Sequence, residues 1–451
     1  MPSVLESREL HQSQLRGSSG LRRLLYKCPI VAFGVVLYFM YILTVGEKIF
    51  PEDLSFGGVS AKQASTLLFV AGCLISQVCF FAFSSFNIGL LSSPISESFM
   101  GVRSLAASLQ TGVESAELFP TMFCCLCLTA LLTSGTFLLM YFCRAERLFR
   151  TIPTLVSNAL FIVIGIQCIR YANERVTSVA LPISPWTICL LFNGLGLALC
   201  AFFFFNKKHY PVVTKYSILI IAAAGTVLFY AAKMAMGLSL SDVVANGWLQ
   251  TDPRVSVTFQ LPAFAFSQIN RAAVVQHLPN IVGLVLLNVL QFPINLPPTV
   301  SQTKAYASPR QELLANSLCN AATSVVGMSS YLLPSSIMAV RQAGSSSRVD
   351  TLLISAGLCV AFLLSYRHFF YIPFIVFDLI LLFLGGNIVL NTLAAVLQEG
   401  ASHLPFVLAV TAFALFMDSI LWGALAAIVL YGTQKGLRRV AHRLMPSTAS
   451  T

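Results

Sequence analysis

The chain has 451 residues, of which 57% are hydrophobic and only 10% charged, with a mean hydropathy of +0.80. Soluble domains carry about 25% charged residues, so this composition excludes a water-soluble enzyme or a nucleic-acid-binding module and describes an integral membrane protein. The formal charge of +11 is split into short clusters between apolar runs, where the positive-inside rule makes them marks of orientation rather than a surface for an acidic partner.

In chain order, residues 1–28 form a polar tail with Arg8, Arg16, Arg22, Arg23 and Lys27. The apolar run after it has no small-residue cleavage site beyond Val45 and is too long for a signal-peptide core, so it reads as a first span. Spans are expected near 29–46, 63–84, 118–142, 152–170, 184–205, 213–235, 275–297, 311–329, 351–366, 369–385, 404–418 and 419–433, most of them near the ~20 apolar residues a crossing helix requires. Shorter segments near 92–105 and 334–346 bring the set to about fourteen transmembrane segments, and 434–451 form a second polar tail. Basic clusters at Arg144/Arg147/Arg150, Lys207/Lys208, Lys304/Arg310 and Arg341/Arg348 fit one side together with both tails, which places the termini in the cytosol.

Enzyme motifs are missing: there is no HExxH, GxSxG or P-loop, and the six histidines are isolated. Cys124, Cys125 and Cys127 have no His or Asp at ligand spacing and read as apolar packing. No enzymatic activity, metal or organic cofactor is expected.

What remains is polar material at membrane depth. Asn288 and Gln291 lie on one face of the 275–297 span and are followed by Pro293, Asn295, Pro297 and Pro298. Amides alone can be helix–helix glue; the prolines, which remove backbone donors, make a proline-broken gap and a lined pocket the expectation. Further on, Gly327, Ser329 and Ser330 weaken a helix, and Pro334 suits the first turn of a new one ahead of Ser335 and Ser336. A half-helix starting inside the membrane presents free N–H groups and a positive dipole end, which is an anion site.

The first half repeats this device: Ser92, Ser93, Pro94 and Ser96 precede FMGVR, as Pro334, Ser335 and Ser336 precede IMAVR. Interrupted segments at corresponding places in two halves point to a transporter site between inverted repeats. Glu97 falls within this front segment. It either complements the helix dipole or, as a carboxylate at membrane depth, marks an ion or proton path.

ELLANSLCNAATSVVGM, LPSSIMAVRQAGSSSR and FYIPFIVFDLILLFLGGNIVLNTL together resemble the second half of the SulP sulfate-permease family of anion transporters. The matching positions are Glu312, Leu313, Ala315, Asn320, Gly327, Gly344, Arg348, Ile372 and Pro373. FPINLPP is similar to a eukaryotic branch with vacuolar members, and the resemblance runs over roughly residues 60–433. It implies an all-α polytopic fold with a seven-plus-seven inverted repeat and two broken half-helices. It also implies a core domain (about 29–150 and 275–366) moving like an elevator against a gate domain (about 151–236 and 369–433), commonly in a homodimer. The chain differs from the family pattern in lacking the Pro-Gln pair of the first span and the acidic residue of the eighth, where Gln291 is the nearest polar side chain. Residues 434–451 are too short for the STAS domain that usually follows.

The expected function is secondary active transport of small anions such as sulfate, chloride or bicarbonate. Ser92, Ser93, Ser96, Ser335 and Ser336 would surround the substrate, Gln291, Asn288 and Asn295 would form a third wall, and Glu97 would serve coupling. The alternatives are proton-coupled transport of amino acids or other cationic solutes on the same fold, or a non-transporting scaffold. The expected partners are a small ion, the bilayer and a second copy, with no nucleic acid. The expected address is a vacuolar or other internal membrane.

Overall fold

A computed structural model describes residues 20–433 apart from 47–48, 52–53, 57–58, 96–97, 147–153, 179–184, 207–208, 211–212, 215, 250–261, 263, 370, 418–422, 424–425 and 428. Ser96, Glu97 and most of both tails therefore lie outside the described residues. The elements run α1 (Gly20–Thr44), β1 (Ser55–Phe56), β2 (Val59–Ser60), α2 (Ala61–Phe83), β3 (Ser92–Pro94), α3 (Phe99–Gln110), α4 (Ser115–Phe142), α5 (Thr154–Ser178), α6 (Pro185–Asn206) and α7 (Ser217–Ala235). After them come α8 (Leu240–Ala245), α9 (Arg271–Gln276), α10 (Leu278–Thr303), α11 (Pro309–Thr323), β4 (Ser330–Leu332), α12 (Pro334–Gln342), α13 (Val349–Phe369), α14 (Phe374–Glu399) and α15 (Leu404–Phe416).

Among the described residues six helices are long and apolar enough to cross a membrane: α2, α4, α7, α14 and most of α6 and α10. Leu190, Leu195, Leu197 and Phe205 on α6, with Val227 and Leu228 on α7, are each more than half exposed; such faces belong against lipid. The element order repeats: α1, α2, β3, α3, α4, α5, α6 is matched by α10, α11, β4, α12, α13, α14, α15. The two short strands pair antiparallel at the centre, Ser92 with Leu332, Ser93 with Tyr331 and Pro94 with Ser330.

Packing sorts the helices into two groups. α11 lies between α2 and α4, α13 against α1 and α2, and α10 and α3 against α4; α14 lies along α5 and also meets α6 and α7, with α15 against α5. The groups touch where α10 meets α5, α12 meets α14 and α7 meets α1.

Three local expectations are corrected. The gap expected after 297 does not exist: α10 is helical through Pro293, Pro297 and Pro298 to Thr303, with Thr299 and Thr303 hydroxyls donating to the carbonyls of Asn295 and Thr299 at 2.6 Å each. Membrane helices tolerate proline where such side chains re-satisfy the backbone. The front segment is not helical from residue 92; Ser92–Pro94 is strand, and α3 begins at Phe99 with Ser98 as its cap. The span expected over 369–385 is the 26-residue α14, begun by Pro373. Its Gly385–Gly386 pair marks close packing rather than a helix end.

Candidate functional site

The centre of the molecule is the β3–β4 pair and the helix that follows each strand. Ile95 N–H donates to Ser329 O at 2.9 Å and Leu333 N–H to Leu91 O at 2.8 Å, extending the ladder on both sides. β4 is preceded by Gly327, whose φ of 67° ends the turn after α11 in the left-handed region glycine favours. α12 then opens with Pro334. Its first rung runs from Ile337 N–H to Leu333 O at 2.9 Å, so the N–H groups of Ser335 and Ser336 lie ahead of the ladder.

Ser335 lines a cavity of about 400 Å³, mouth included, with Phe33 of α1, Thr214, Ser217 of α7, Met338 and Gln342 of α12, and Asn387 and Asn391 of α14. The Ser335 hydroxyl lies 3.3 Å from that of Tyr41 on α1. Ser336 is fully buried, and its Oγ has no hydrogen-bond partner among the described residues. This cavity lies between the two packed groups and holds the positive end of α12.

The other sequence-derived residues do not join it. Ser92 is fully buried, with its N–H and hydroxyl both donating to Gln77 Oε1 at 3.0 Å and its Oγ 2.9 Å from Ser76 Oγ. Tyr38 completes that network, its hydroxyl accepting Ser92 N–H at 3.1 Å. The Ser93 hydroxyl donates to Pro94 O at 3.0 Å. Asn295 Nδ2 donates to Gln291 Oε1 at 2.7 Å, so one bond joins those two amides along α10. Asn288 donates to Thr133 Oγ1 at 3.3 Å while its buried Oδ1 has no partner among the described residues. It lines a second cavity, about 320 Å³ with its mouth included, with Ser98, Phe99, Thr129, Gly327 and Ser329 beside the start of α3. Of the sequence-derived set, Ser335 thus lines the cavity at α12 and Asn288 the one at α3, while Ser92, Ser93, Ser336, Gln291 and Asn295 line neither.

Tyr41, Ser217, Asn387 and Asn391 were not singled out from the sequence. Tyr41 had a signal: with Tyr38 it forms an i, i+3 phenol pair in an otherwise apolar span. Glu312, by contrast, matches the SulP pattern but serves the framework. Fully buried, it accepts from the Ser84 hydroxyl at 2.9 Å and the Ser85 hydroxyl at 2.6 Å, joining the end of α2 to the start of α11. Among the described residues no group of His, Cys, Asp and Glu could hold a metal ion.

The architecture recurs in solved structures. The chain superposes on the transmembrane domain of a cyanobacterium bicarbonate transporter, BicA, with a TM-score of 0.53 at 16% identity, over 91% of this chain and 98% of that one. It superposes on SLC26A9 with a TM-score of 0.56 at 13% identity, over 94% of this chain and 67% of the other. For the murine Slc26a9 anion transporter in the inward-facing state the TM-score is 0.53 at 13% identity, over 93% and 69%. No protein-family sequence model and no curated protein sequence matches the chain. These likenesses establish the fold: an all-α polytopic membrane protein built like the transmembrane part of SLC26/SulP transporters.

Proposed function

We propose that the protein is a secondary active transporter of small anions, working by alternating access. The observation that carries this is the start of α12: Ser335, whose N–H lies ahead of the helix ladder and whose hydroxyl lies beside that of Tyr41, lines a cavity between two packed helix groups, with Ser336 buried directly behind it. A helix start is equivalent to about half a positive charge, and buried away from water it suits an anion without needing a cationic side chain. The fold is shared with a bicarbonate transporter and an anion transporter, so chloride, bicarbonate and sulfate-like ions are the substrates to test.

The two packed groups support an elevator. α1–α4 with α10–α13 would be the core (about 29–150 and 275–366), and α5–α7 with α14 and α15 the gate (about 151–236 and 369–433). Ser335 and Ser336 would hold the ion from α12 and Asn288 would face it from the α3 cavity, while Ser92 and Ser93 act through the strand pair. Ser96 and Glu97, which precede Phe99 by three and two residues in the sequence, would serve binding and coupling. Both termini are cytosolic in this reading, the working unit is a homodimer, and the membrane is an internal one.

Reconstitution decides it. Purified protein in liposomes should take up labelled chloride, bicarbonate or sulfate saturably, and Ser335→Phe should abolish uptake while the protein stays folded. Uptake of arginine or lysine instead, lost on Glu97→Gln, would move the function to cationic solutes. No uptake of any solute by folded protein would leave a scaffold.

A further inference from the structure

The α12 cavity has a wall on the opposite helix group. Asn387 and Asn391 of α14 both line it, one turn apart in the apolar run FLGGNIVLNTL. Asn391 Nδ2 donates to the Asn387 backbone carbonyl at 2.7 Å, whereas the Asn387 carboxamide has no hydrogen-bond partner among the described residues. A carboxamide kept at membrane depth without a protein partner is costly unless it meets water or a ligand.

The helix carrying it is held in place. A Cβ on Gly386 would fall 2.5 Å from Cys200 Sγ of α6, and one on Gly165 of α5 would fall 2.8 Å from the Gly385 carbonyl. That Gly165 position also meets Val389 and Ile388, while the Gly385 position meets Cys168 and Ile169. Such pairings require α5 and α14 to cross antiparallel, with Gly165 and Gly385 equivalent about the crossing. α5 and α14 also hold the same place in the two halves. Two residues past each glycine stand Asn387 on α14 and Gln167 on α5. Gln167 is half-buried and, among the described residues, unpartnered. One turn before it, Ile164 packs in a cluster with Met338 of α12, so α5 turns this face toward α12, and the repeat relation between the two halves is what sets Gln167 opposite α3.

Resting on the anion-transport reading, we propose that Asn387 is the gate-side ligand of the transported ion while the α12 cavity is open, and that Gln167 takes that part opposite α3 when the other side opens. A carboxamide offers two N–H donors and no net charge. It can complete the shell of an anion on the dipole of a half-helix without trapping it, which transport through alternating states requires.

The test uses the full chain in sealed membrane vesicles of both orientations, with labelled chloride, bicarbonate and sulfate as probes. Losing one hydrogen bond to a charged ligand raises KM about tenfold. Asn387→Leu should do this on the face to which the α12 cavity opens, with the maximal rate within about twofold and the other face near wild type. Gln167→Leu should show the reverse. Asn387→Gln should recover most of the affinity, and Asn387→Asp should raise KM further by repelling the anion. Those two variants decide the matter if the leucine variant does not fold. Wild-type KM on both faces in Asn387→Leu, or in Asn387→Asp, would overturn the proposal and leave anion transport standing. So would both leucine substitutions acting on the same face. If folded wild-type protein carries none of the three anions, anion transport itself falls and takes this inference with it.

Discussion

Asn320 holds Ser330 by both of its backbone groups: Oδ1 accepts Ser330 N–H at 3.0 Å and Nδ2 donates to Ser330 O at 3.1 Å. On the repeat-equivalent helix, Gln77 accepts Ser92 N–H at 3.0 Å and donates to Leu90 O at 2.5 Å. Each carboxamide substitutes for a neighbouring strand at an edge that water does not reach, which is the condition for keeping irregular backbone inside a membrane. Asn320→Leu keeps the volume and strips both bonds, at about 1–3 kcal/mol for each orphaned buried group. We expect a lower thermal unfolding midpoint in detergent, matched by Gln77→Leu. An unchanged midpoint in either would show that the strand pair holds itself.

Ser336 offers a separation of stability from function. Its hydroxyl is buried and unpartnered, so Ser336→Ala removes a desolvated polar atom and should leave the midpoint unchanged or slightly raised. If the hydroxyl is kept for the substrate, uptake should fall several-fold in the same protein. Tyr41→Phe, which removes the phenol beside Ser335, should likewise raise KM without unfolding. Wild-type uptake kinetics in both would move the ion away from the start of α12.

The comparison between sequence and structure has a physical pattern. Pro334 was readable as a helix start because proline at a first turn loses nothing, and β4 with α12 lies where Gly327 to Ser336 place it. The front half-helix was misplaced because Ser-Ser-Pro suits a strand end as well as a helix cap. Only the long-range pairing with Leu332 and Tyr331 decides between them, and pairing is invisible to local pattern. The SulP-like positions Glu312 and Asn320 fix the backbone around the cavities without lining either, whereas Gly327 both ends the turn before β4 and lines the cavity at α3. Asn387 and Asn391 lie beyond the span expected over 369–385, and only the continuous 26-residue helix brings them to the cavity.

Asp350 ties three chain segments together on one carboxylate. Its Oδ1 pairs with Lys27 Nζ at 2.6 Å, while Oδ2 accepts from the Ser345 hydroxyl at 2.8 Å and from Ser346 and Ser347 N–H at 3.1 and 3.2 Å. The Ser345 hydroxyl in turn accepts Gly89 N–H at 3.0 Å, reaching the loop that leads to β3. Asp350 is 2% exposed and Lys27 25%, so the partners should not be equivalent. Lys27→Gln loses a part-exposed pair, about 1 kcal/mol or less. Asp350→Asn weakens every bond to the carboxylate, and charged-acceptor bonds contribute about 1.5–3 kcal/mol each. Thermal midpoints in detergent should therefore fall much further for Asp350→Asn, and equal falls would assign the stabilisation to the ion pair alone.

Gly385 and Gly135 test whether the second helix group is a rigid block. A Cβ at Gly385 would press on the Gly165 carbonyl and sit 2.9 Å from Cys168 Cβ, whereas one at Gly135 in α4 meets nothing within 4 Å. A backbone carbonyl cannot swing aside as a flexible side chain can, so Gly385→Ala must push α5 and α14 apart along much of their contact. Overpacking of this kind costs about 1–3 kcal/mol, and here it also displaces Asn387 two residues on. Gly135→Ala should gain up to about 1 kcal/mol of helix propensity with no steric cost. Gly385→Ala should therefore lower the midpoint and the yield of monodisperse protein, while Gly135→Ala should match or exceed wild type. A Gly385→Ala protein as stable and as active as wild type would mean that α5 and α14 slide on one another, and a helix group that yields in this way could not hold Asn387 at a fixed distance from α12.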